Sequence, residues 1–282
     1  MDSVLIDFLN DYYQADLNKI HDEAGNKHLT GYSHYYHADL FVKIFDNEEK
    51  FYAEQHVDQR YCPDIFLGTV IFGDNNVVVL RDRKLIDLDH EKLDEQQAYI
   101  YGRLLAEFHQ KLTGYVAVPD DKKPLPDRIQ EKLAKLTDKK HKKKAEKAYG
   151  FIEKSLSQAQ QDYVKLKKVV LHGDFSIRNI MRYKGKYVLI DFERAHIGCQ
   201  YEDFIKFFFS EVKDKKLRHS FIAGYQSLLE FEIPQSACQQ VLLYMNALDI
   251  YTFHETHEEE KFGAMADDML DTVIGGIPVL EI

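Results

Sequence analysis

His172-Gly173-Asp174-Phe175-Ser176-Ile177-Arg178-Asn179, followed shortly by Val188-Leu189-Ile190-Asp191-Phe192-Glu193, is the stretch on which the fold of this chain turns. The first segment sets an aspartate and an asparagine five residues apart in a loop between two short apolar runs, Val169–Leu171 and Asn179–Arg182. The second is an apolar strand that delivers Asp191 at its end, where a turning chain lets a carboxylate project. Lys184-Gly185-Lys186 between them is a hairpin turn signal. One hairpin can therefore converge Asp174, Asn179 and Asp191.

Phosphoryl transfer asks for such a set. It needs a carboxylate that orients an attacking hydroxyl and accepts its proton, and hard oxygen ligands for Mg²⁺ on the phosphates. Asp174 suits the first role. Asn179 and Asp191, one neutral and one charged oxygen ligand, suit the second. Taken singly, Asp191 reads equally well as a turn cap and Asn179 as a turn starter. What lies upstream gives the set its weight.

Three β-rich stretches, Asp39–Phe45, Phe66–Phe72 and Asn76–Leu80, indicate a small sheet, the last two joined by Gly73-Asp74-Asn75. Glu48–Arg60, charged and free of Gly and Pro, reads as one helix crossing that sheet. Beyond about Arg81 the pattern turns helical, with Tyr101, Leu104, Leu105, Phe108 and Leu112 at helical spacing within Glu91–Leu112. Asp127–Ser155 is helix-compatible and very polar, and its lysine cluster from Lys139 to Lys144 reads as a solvated face. After Tyr201 the chain reads as helix, with Pro234 near one start and Gly275-Gly276 ending the last. Residues 1–82 and 83–282 are expected as two coupled lobes.

With 282 residues, 45 % of them hydrophobic, the chain can bury a sizeable core. A formal net charge of −10 argues against a general nucleic-acid or anionic-membrane binder. Cys62, Cys199 and Cys238 are widely spaced without a CxxC pair, which indicates neither a disulfide framework nor a zinc site. No apolar stretch approaches a membrane span and Met1-Asp2-Ser3 does not open a signal peptide, so a cytoplasmic protein is expected. Oligomeric state leaves no local signature.

HGDFSIRN followed by IDFERAHIGCQYEDF resembles the aminoglycoside phosphotransferase and choline kinase family, whose pattern is HGDxxxxN, a hydrophobic-Asp-hydrophobic-Glu strand, then Gly…Asp. Tyr101-Gly102-Arg103-Leu104-Leu105-Ala106-Glu107-Phe108-His109 is similar to that family's helix ending in leucine-alanine-x-leucine-histidine, and Phe41-Val42-Lys43-Ile44 to its nucleotide-binding strand. The resemblance implies an α+β, two-lobed protein-kinase-like fold: a small N-terminal antiparallel sheet lobe with one helix and a larger, mostly helical C-terminal lobe. It implies an ATP- and Mg²⁺-dependent kinase that phosphorylates a hydroxyl of a small molecule.

By the same resemblance Lys43 would contact the α- and β-phosphates, with Glu54 paired to it. Leu29-Thr30-Gly31-Tyr32-Ser33-His34-Tyr35-Tyr36 would be a phosphate loop reduced to one glycine, contacting nucleotide through Gly31 and Ser33. Asp203 would brace the catalytic loop, and His172 would hydrogen-bond within it. In the aminoglycoside-modifying members, acidic side chains of the C-terminal helices bind the polyamine, which points to Glu255, Glu258, Glu259 and Asp249. The Asp191–Asp203 interval is too short for the peptide-docking platform of protein kinases. An aminoglycoside, amino alcohol or sugar-like acceptor is therefore expected, cationic in the first two cases. His254, His257 and Glu258 share a helix face but lack the HExxH spacing of a metalloprotease. A catalytically silent, nucleotide-binding or regulatory protein is the other reading of this set, and antibiotic inactivation is not told apart from metabolism of an endogenous alcohol.

Overall fold

A computed structural model of the chain describes residues 3–23, 26–88, 93–257 and 259–280. The chain forms two compact units. One comprises Met1–Lys92, Glu107–Pro119 and His172–His196; the other comprises Leu93–Ala106, Asp120–Leu171 and Ile197–Ile282. No single cut after residue 82 separates them, because the Asp174–Asp191 segment is held to the sheet by bonds from Lys43 to Asp191 and from the Phe192 amide to Glu54.

The first unit begins with helix α1 (Ser3–Tyr13) and continues through β1 (Asn18–Glu23), β2 (Asn26–Ser33), β3 (Ala38–Phe45), α2 (Glu48–Tyr61), β4 (Phe66–Phe72) and β5 (Asn75–Arg81). The strands make one antiparallel sheet in the order β1-β2-β3-β5-β4. Alternation along β3 decides what each face holds. Leu40, Val42 and Ile44 pack with Val77 and Val79 against Leu5, Leu9 and Tyr13 of α1. On the opposite face Phe45, Val78 and Leu80 pack with Phe51 of α2, flanked by Phe41. Lys43, between Phe41 and Phe45, therefore lies on the α2 side. α2 starts at Asn47, whose side chain accepts from the Lys50 amide at 2.9 Å, with Glu48 and Glu49 placed at the positive end of its dipole.

α1, β1 and β2 add one helix and two strands to the expected three-stranded sheet. Asn18–Glu23 alternates no apolar residues, so its sequence carries no strand signal; it is a strand because it pairs with β2.

The second unit takes residues 95–106 of α3 (Glu95–Lys111), whose remainder belongs to the first, with α4 (Leu125–Lys135), α5 (Lys139–Ile152), α6 (Leu156–Lys165) and β6 (Lys168–Leu171). After the strands β7 (Ile180–Tyr183), β8 (Lys186–Leu189) and β9 (His196–Cys199) come α7 (Glu202–Ser210), α8 (Lys215–Gln226), α9 (Ser236–Thr256) and α10 (Glu260–Ile274). α3 and α8 cross so closely that a Cβ at Gly102 would sit 2.0 Å from the Phe221 carbonyl oxygen, and one at Gly224 would sit 2.0 Å from that of Tyr99. The helix-compatible stretch Asp127–Ser155 holds α4 and α5. Asp138 breaks it and caps α5 by accepting from the Lys140 amide at 2.7 Å and the His141 amide at 2.9 Å. Lys144 pairs with Asp267 and Asp271 of α10 at 2.7 and 3.1 Å, whereas Lys139, Lys140, Lys142 and Lys143 are exposed. The three cysteines are unpaired and buried. Among the described residues no helix is long and apolar enough to cross a membrane.

Candidate active site

The β7–β8 hairpin brings the three expected groups together within the first unit. Ile180 pairs with Leu189 and Tyr183 with Lys186, and the turn between them uses positive φ at Lys184 and Gly185. The Ile190 amide donates to the Asn179 carbonyl at 3.1 Å, so the end of the catalytic loop is hydrogen-bonded to the strand that delivers Asp191. The Asn179 side-chain nitrogen donates to the Asp174 carbonyl at 2.8 Å, which leaves its Oδ1 as the group available to a ligand. His172 Nε2 lies 3.0 Å from the Ile190 carbonyl and, as the protonated nitrogen, donates to it; the ring packs among Phe108, Phe175 and Phe192. Gly173 has φ +78, and a Cβ there would stand 2.1 Å from the Arg194 carbonyl oxygen. Only glycine fits that crossing.

Asp191 itself has φ 67, an uncommon conformation for a residue with a Cβ. It is held there in part by Lys43, whose Nζ is 3.2 Å from Asp191 Oδ1 and 2.5 Å from Glu54 Oε1. Glu54 Oε2 accepts from the Phe192 amide at 2.6 Å. Glu54 thus ties a helix, a strand lysine and the chain after Asp191 into one point.

Burial opposes the charge on Lys43, but the carboxylates of Glu54, Asp191 and Asp58 outweigh it and raise its pKa. Burial likewise pushes the Glu54 pKa up, to about 8, which would favour a neutral acid, while Lys43 pulls it down. These two tendencies disagree about one bond. The ammonium and the Phe192 amide both donate to the Glu54 carboxyl at short distance, and two such donors favour the ionised pair. For Asp191, burial is overcome by the Lys43 charge and hydrogen bond, and its pKa lies below the ordinary value.

Three further groups were not foreseen. Asp58, one turn beyond Glu54 on the same face of α2, is buried, with Oδ1 accepting from the Cys62 thiol at 3.2 Å and Oδ2 without a partner among the described residues. Its four-residue spacing from Glu54 was the available signal. Lys50 of α2 reaches Glu193 at 2.8 Å. Arg178 pairs with Asp174 at 2.5 Å; here too the spacing of four residues could have suggested it.

Gly31 and Ser33 are not brought to Lys43. His28 is the residue of β2 that faces Lys43, whereas Gly31 faces Leu40 and Ser33 faces Ala38. Five residues of strand separate Ala38 from Lys43, about 17 Å. The Ser33 hydroxyl is fully buried, donating to the Tyr13 carbonyl at 2.6 Å and accepting from the Tyr36 amide at 3.1 Å. Gly31 is glycine because a Cβ would sit 2.1 Å from the Asp16 carbonyl oxygen. The end of β2 nearer Lys43 leads to residues 24–25, which lie outside the described residues.

Asp203 is buried on α7 in the second unit. That unit also contains a cavity of about 600 Å³ lined by Thr137, Asp138, His141, His254, Glu255 and Glu260. Glu255 accepts from the Thr137 amide and hydroxyl at 2.7 and 2.6 Å and lies 3.1 Å from His141, whose ring stacks on Tyr251. Of the other expected acidic residues, Asp249 pairs with Lys132, Glu259 pairs with Lys261 at 2.7 Å, and Glu258 lies outside the described residues. No cluster of His, Cys, Asp and Glu that could hold a metal occurs among the described residues, so His254 and His257 do not form one.

Sheet, lysine–glutamate pair and Asp-bearing hairpin define a kinase-like phosphotransferase fold. Solved structures bear this out at low sequence identity. An amicoumacin kinase, hAmiN, in complex with AMP-PNP, Ca²⁺ and Ami, aligns with a TM-score of 0.67 at 10 % identity over 100 % of this chain and 95 % of its own. Aminoglycoside phosphotransferase APH(4)-Ia aligns at 0.68 and 11 %, covering 97 % and 98 %. Choline kinase LicA from Streptococcus pneumoniae aligns at 0.62 and 13 %, covering 97 % of each chain. No curated protein gives a significant sequence match. The chain belongs to the phosphotransferase enzyme family, whose sequence profile matches residues 43–236.

Proposed function

We propose that this phosphotransferase moves the γ-phosphoryl group of ATP to a hydroxyl of a small acceptor. The observation that carries the proposal is the junction at Lys43, where Glu54 from α2 and Asp191 from the hairpin meet one ammonium. A fixed cation beside a partly exposed carboxylate supports this reading, because phosphoryl transfer calls for a lysine on the phosphates and an aspartate that can hold their metal. The matching family profile and the nucleotide analogues named with some of the structural neighbours support the choice of ATP.

Asp174 accepts the hydroxyl proton as the acceptor oxygen attacks, and Lys43, oriented by Glu54, binds the α- and β-phosphates. Asn179 Oδ1 and the partly exposed Asp191 carboxylate form a donor set that fits Mg²⁺, which takes few protein ligands and keeps water and phosphate in its remaining positions. Bound there, the ion would supply charge neutralisation on the phosphates. His172 fixes the loop through the Ile190 carbonyl, and Asp203 is assigned a bracing role.

The acceptor is proposed to be a small molecule carrying a cationic group, bound by carboxylates of the C-terminal helices. The cavity walled by Glu255, Glu260 and Asp138 has the size and sign for one. The test is ADP formation from Mg·ATP across aminoglycosides, amino alcohols, sugars and hydroxy amino acids. Acceptor-dependent ADP should appear and fall by about 10²- to 10⁴-fold in Asp174→Asn, the usual worth of a general base. ATP binding without turnover on any acceptor would remove the catalytic assignment.

A further inference from the structure

Arg178 carries a charge beside the catalytic carboxylate of the scheme above that the scheme leaves unused. Its guanidinium Nη2 lies 2.5 Å from Asp174 Oδ2, so in this structure the Asp174 carboxylate is engaged by a cation of its own loop. The two side chains differ sharply in setting: Asp174 is 5 % exposed and Arg178 is 56 % exposed. The backbone beneath the pair is fixed. Arg178 is the middle of the short turn Ile177–Asn179, closed by the Asn179 amide on the Ser176 carbonyl at 3.0 Å, and Asn179 is tied to the Asp174 carbonyl. A long, half-exposed side chain on a rigid turn can swing its head group while its root stays in place.

The charge balance gives that swing a purpose. Glu54, Asp58, Asp174 and Asp191 bring four carboxyl groups to the neighbourhood of Lys43 and the catalytic loop, and Lys43 is already engaged by two of them. A triphosphate entering such a site meets more negative than positive protein charge. A second cation on the Asp174 side would offset this where negative charge accumulates during transfer. A guanidinium, with five donors in a planar fork, matches phosphate geometry better than any other side chain.

We propose that Arg178 is a catalytic residue: it holds Asp174 in the resting site and binds the γ-phosphoryl group when nucleotide is present. The assignment rests on the kinase reading above. The acceptor oxygen forms its bond to the γ-phosphorus, and the bond from that phosphorus to the bridging oxygen of the β-phosphate breaks, its electron pair leaving with ADP. The hydroxyl proton passes to Asp174.

Arg178→Met keeps most of the stem and removes the charge; Arg178→Lys keeps the charge and removes the fork. Calorimetric titration with Mg²⁺ and either a non-hydrolysable ATP analogue or ADP reads the γ-phosphate contact without turnover. The preference for the triphosphate should fall by about tenfold in Arg178→Met, the worth of one charge-assisted hydrogen bond, with ADP affinity unchanged. In turnover, kcat should fall by about a hundredfold or more while acceptor KM stays within about twofold, and Arg178→Lys should recover part of kcat. Equal weakening of both nucleotides, or a rise in acceptor KM alone, would overturn the proposal, the latter by showing that the guanidinium grips the acceptor. So would a lowered thermal midpoint with intact kinetics, the mark of a loop brace only. If the wild type turns over no acceptor, the kinase reading fails and the triphosphate preference alone decides Arg178: its loss in Arg178→Met upholds the contact, its persistence refutes it.

Discussion

Asp58→Asn is expected to stabilise the protein at neutral pH, although it removes a charge next to a lysine. The Asp58 carboxyl is buried with one oxygen lacking a partner among the described residues, and burial raises its pKa from 3.8 to about 6 against the opposing pull of Lys43. Because the folded pKa exceeds the unfolded one, between about pH 4 and 6 the native state keeps a proton that the unfolded chain has released. Stability therefore falls as pH rises through that window, and the deficit is complete above it. At about 1.4 kcal/mol per unit, a rise of about two units amounts to about 3 kcal/mol. An amide does not ionise and escapes the deficit. Urea unfolding from about pH 5 to 8 should show the variant's advantage growing from about half that value to the whole of it. An advantage that stays flat across this range, or a variant less stable at the upper end, would refute the assignment of a raised pKa to Asp58.

Lys43→Met should cost about 3–5 kcal/mol, since it strands the buried Glu54 carboxylate without its cation and leaves the partly exposed Asp191 without its partner; denaturant midpoints and nucleotide titration would both register it. Gly173→Ala should destabilise by about 2 kcal/mol or more and slow turnover, because the new Cβ must displace the Arg194 carbonyl at a positive φ; unchanged thermal and kinetic parameters would contradict the close crossing. Glu255→Gln should keep folding stability within about 1 kcal/mol, retaining an oxygen for Thr137, and raise KM for a cationic acceptor while leaving nucleotide KM alone. Steady-state kinetics with both substrates varied would decide it.

The hairpin was legible because its signals are local: an Asp and an Asn in one loop, an apolar strand ending in Asp, and a Lys-Gly turn between them. The strand and the uninterrupted helix were legible in pattern, but Lys43 and Glu54 stood out on them only through the family resemblance; the bond between them is a tertiary contact. The phosphate-loop reading went astray for a physical reason. Gly31 attracted it as the lone glycine in a run of strand-like residues, but that glycine answers to the Asp16 backbone, and the register that carries it away from Lys43 is a tertiary property. Polar β1 shows no alternation to read. The partners of Glu255, on a connection more than a hundred residues earlier, are equally invisible in sequence. Between α4 and α5 the sequence offers one boundary signal, Asp138 as a capping residue before a lysine run.

The bond from Lys43 to Asp191 joins residues 148 positions apart, and that from the Phe192 amide to Glu54 spans 138. On the ribosome, at about 5–20 residues per second, Lys43 emerges roughly 7–30 s before Asp191. During that interval Lys43, Glu54 and Asp58 form a nascent charge cluster lacking its last carboxylate and backbone donor. A chain stalled before His172 would thus expose a half-built charge cluster, and refolding of the full chain must close this long loop before the cluster is satisfied.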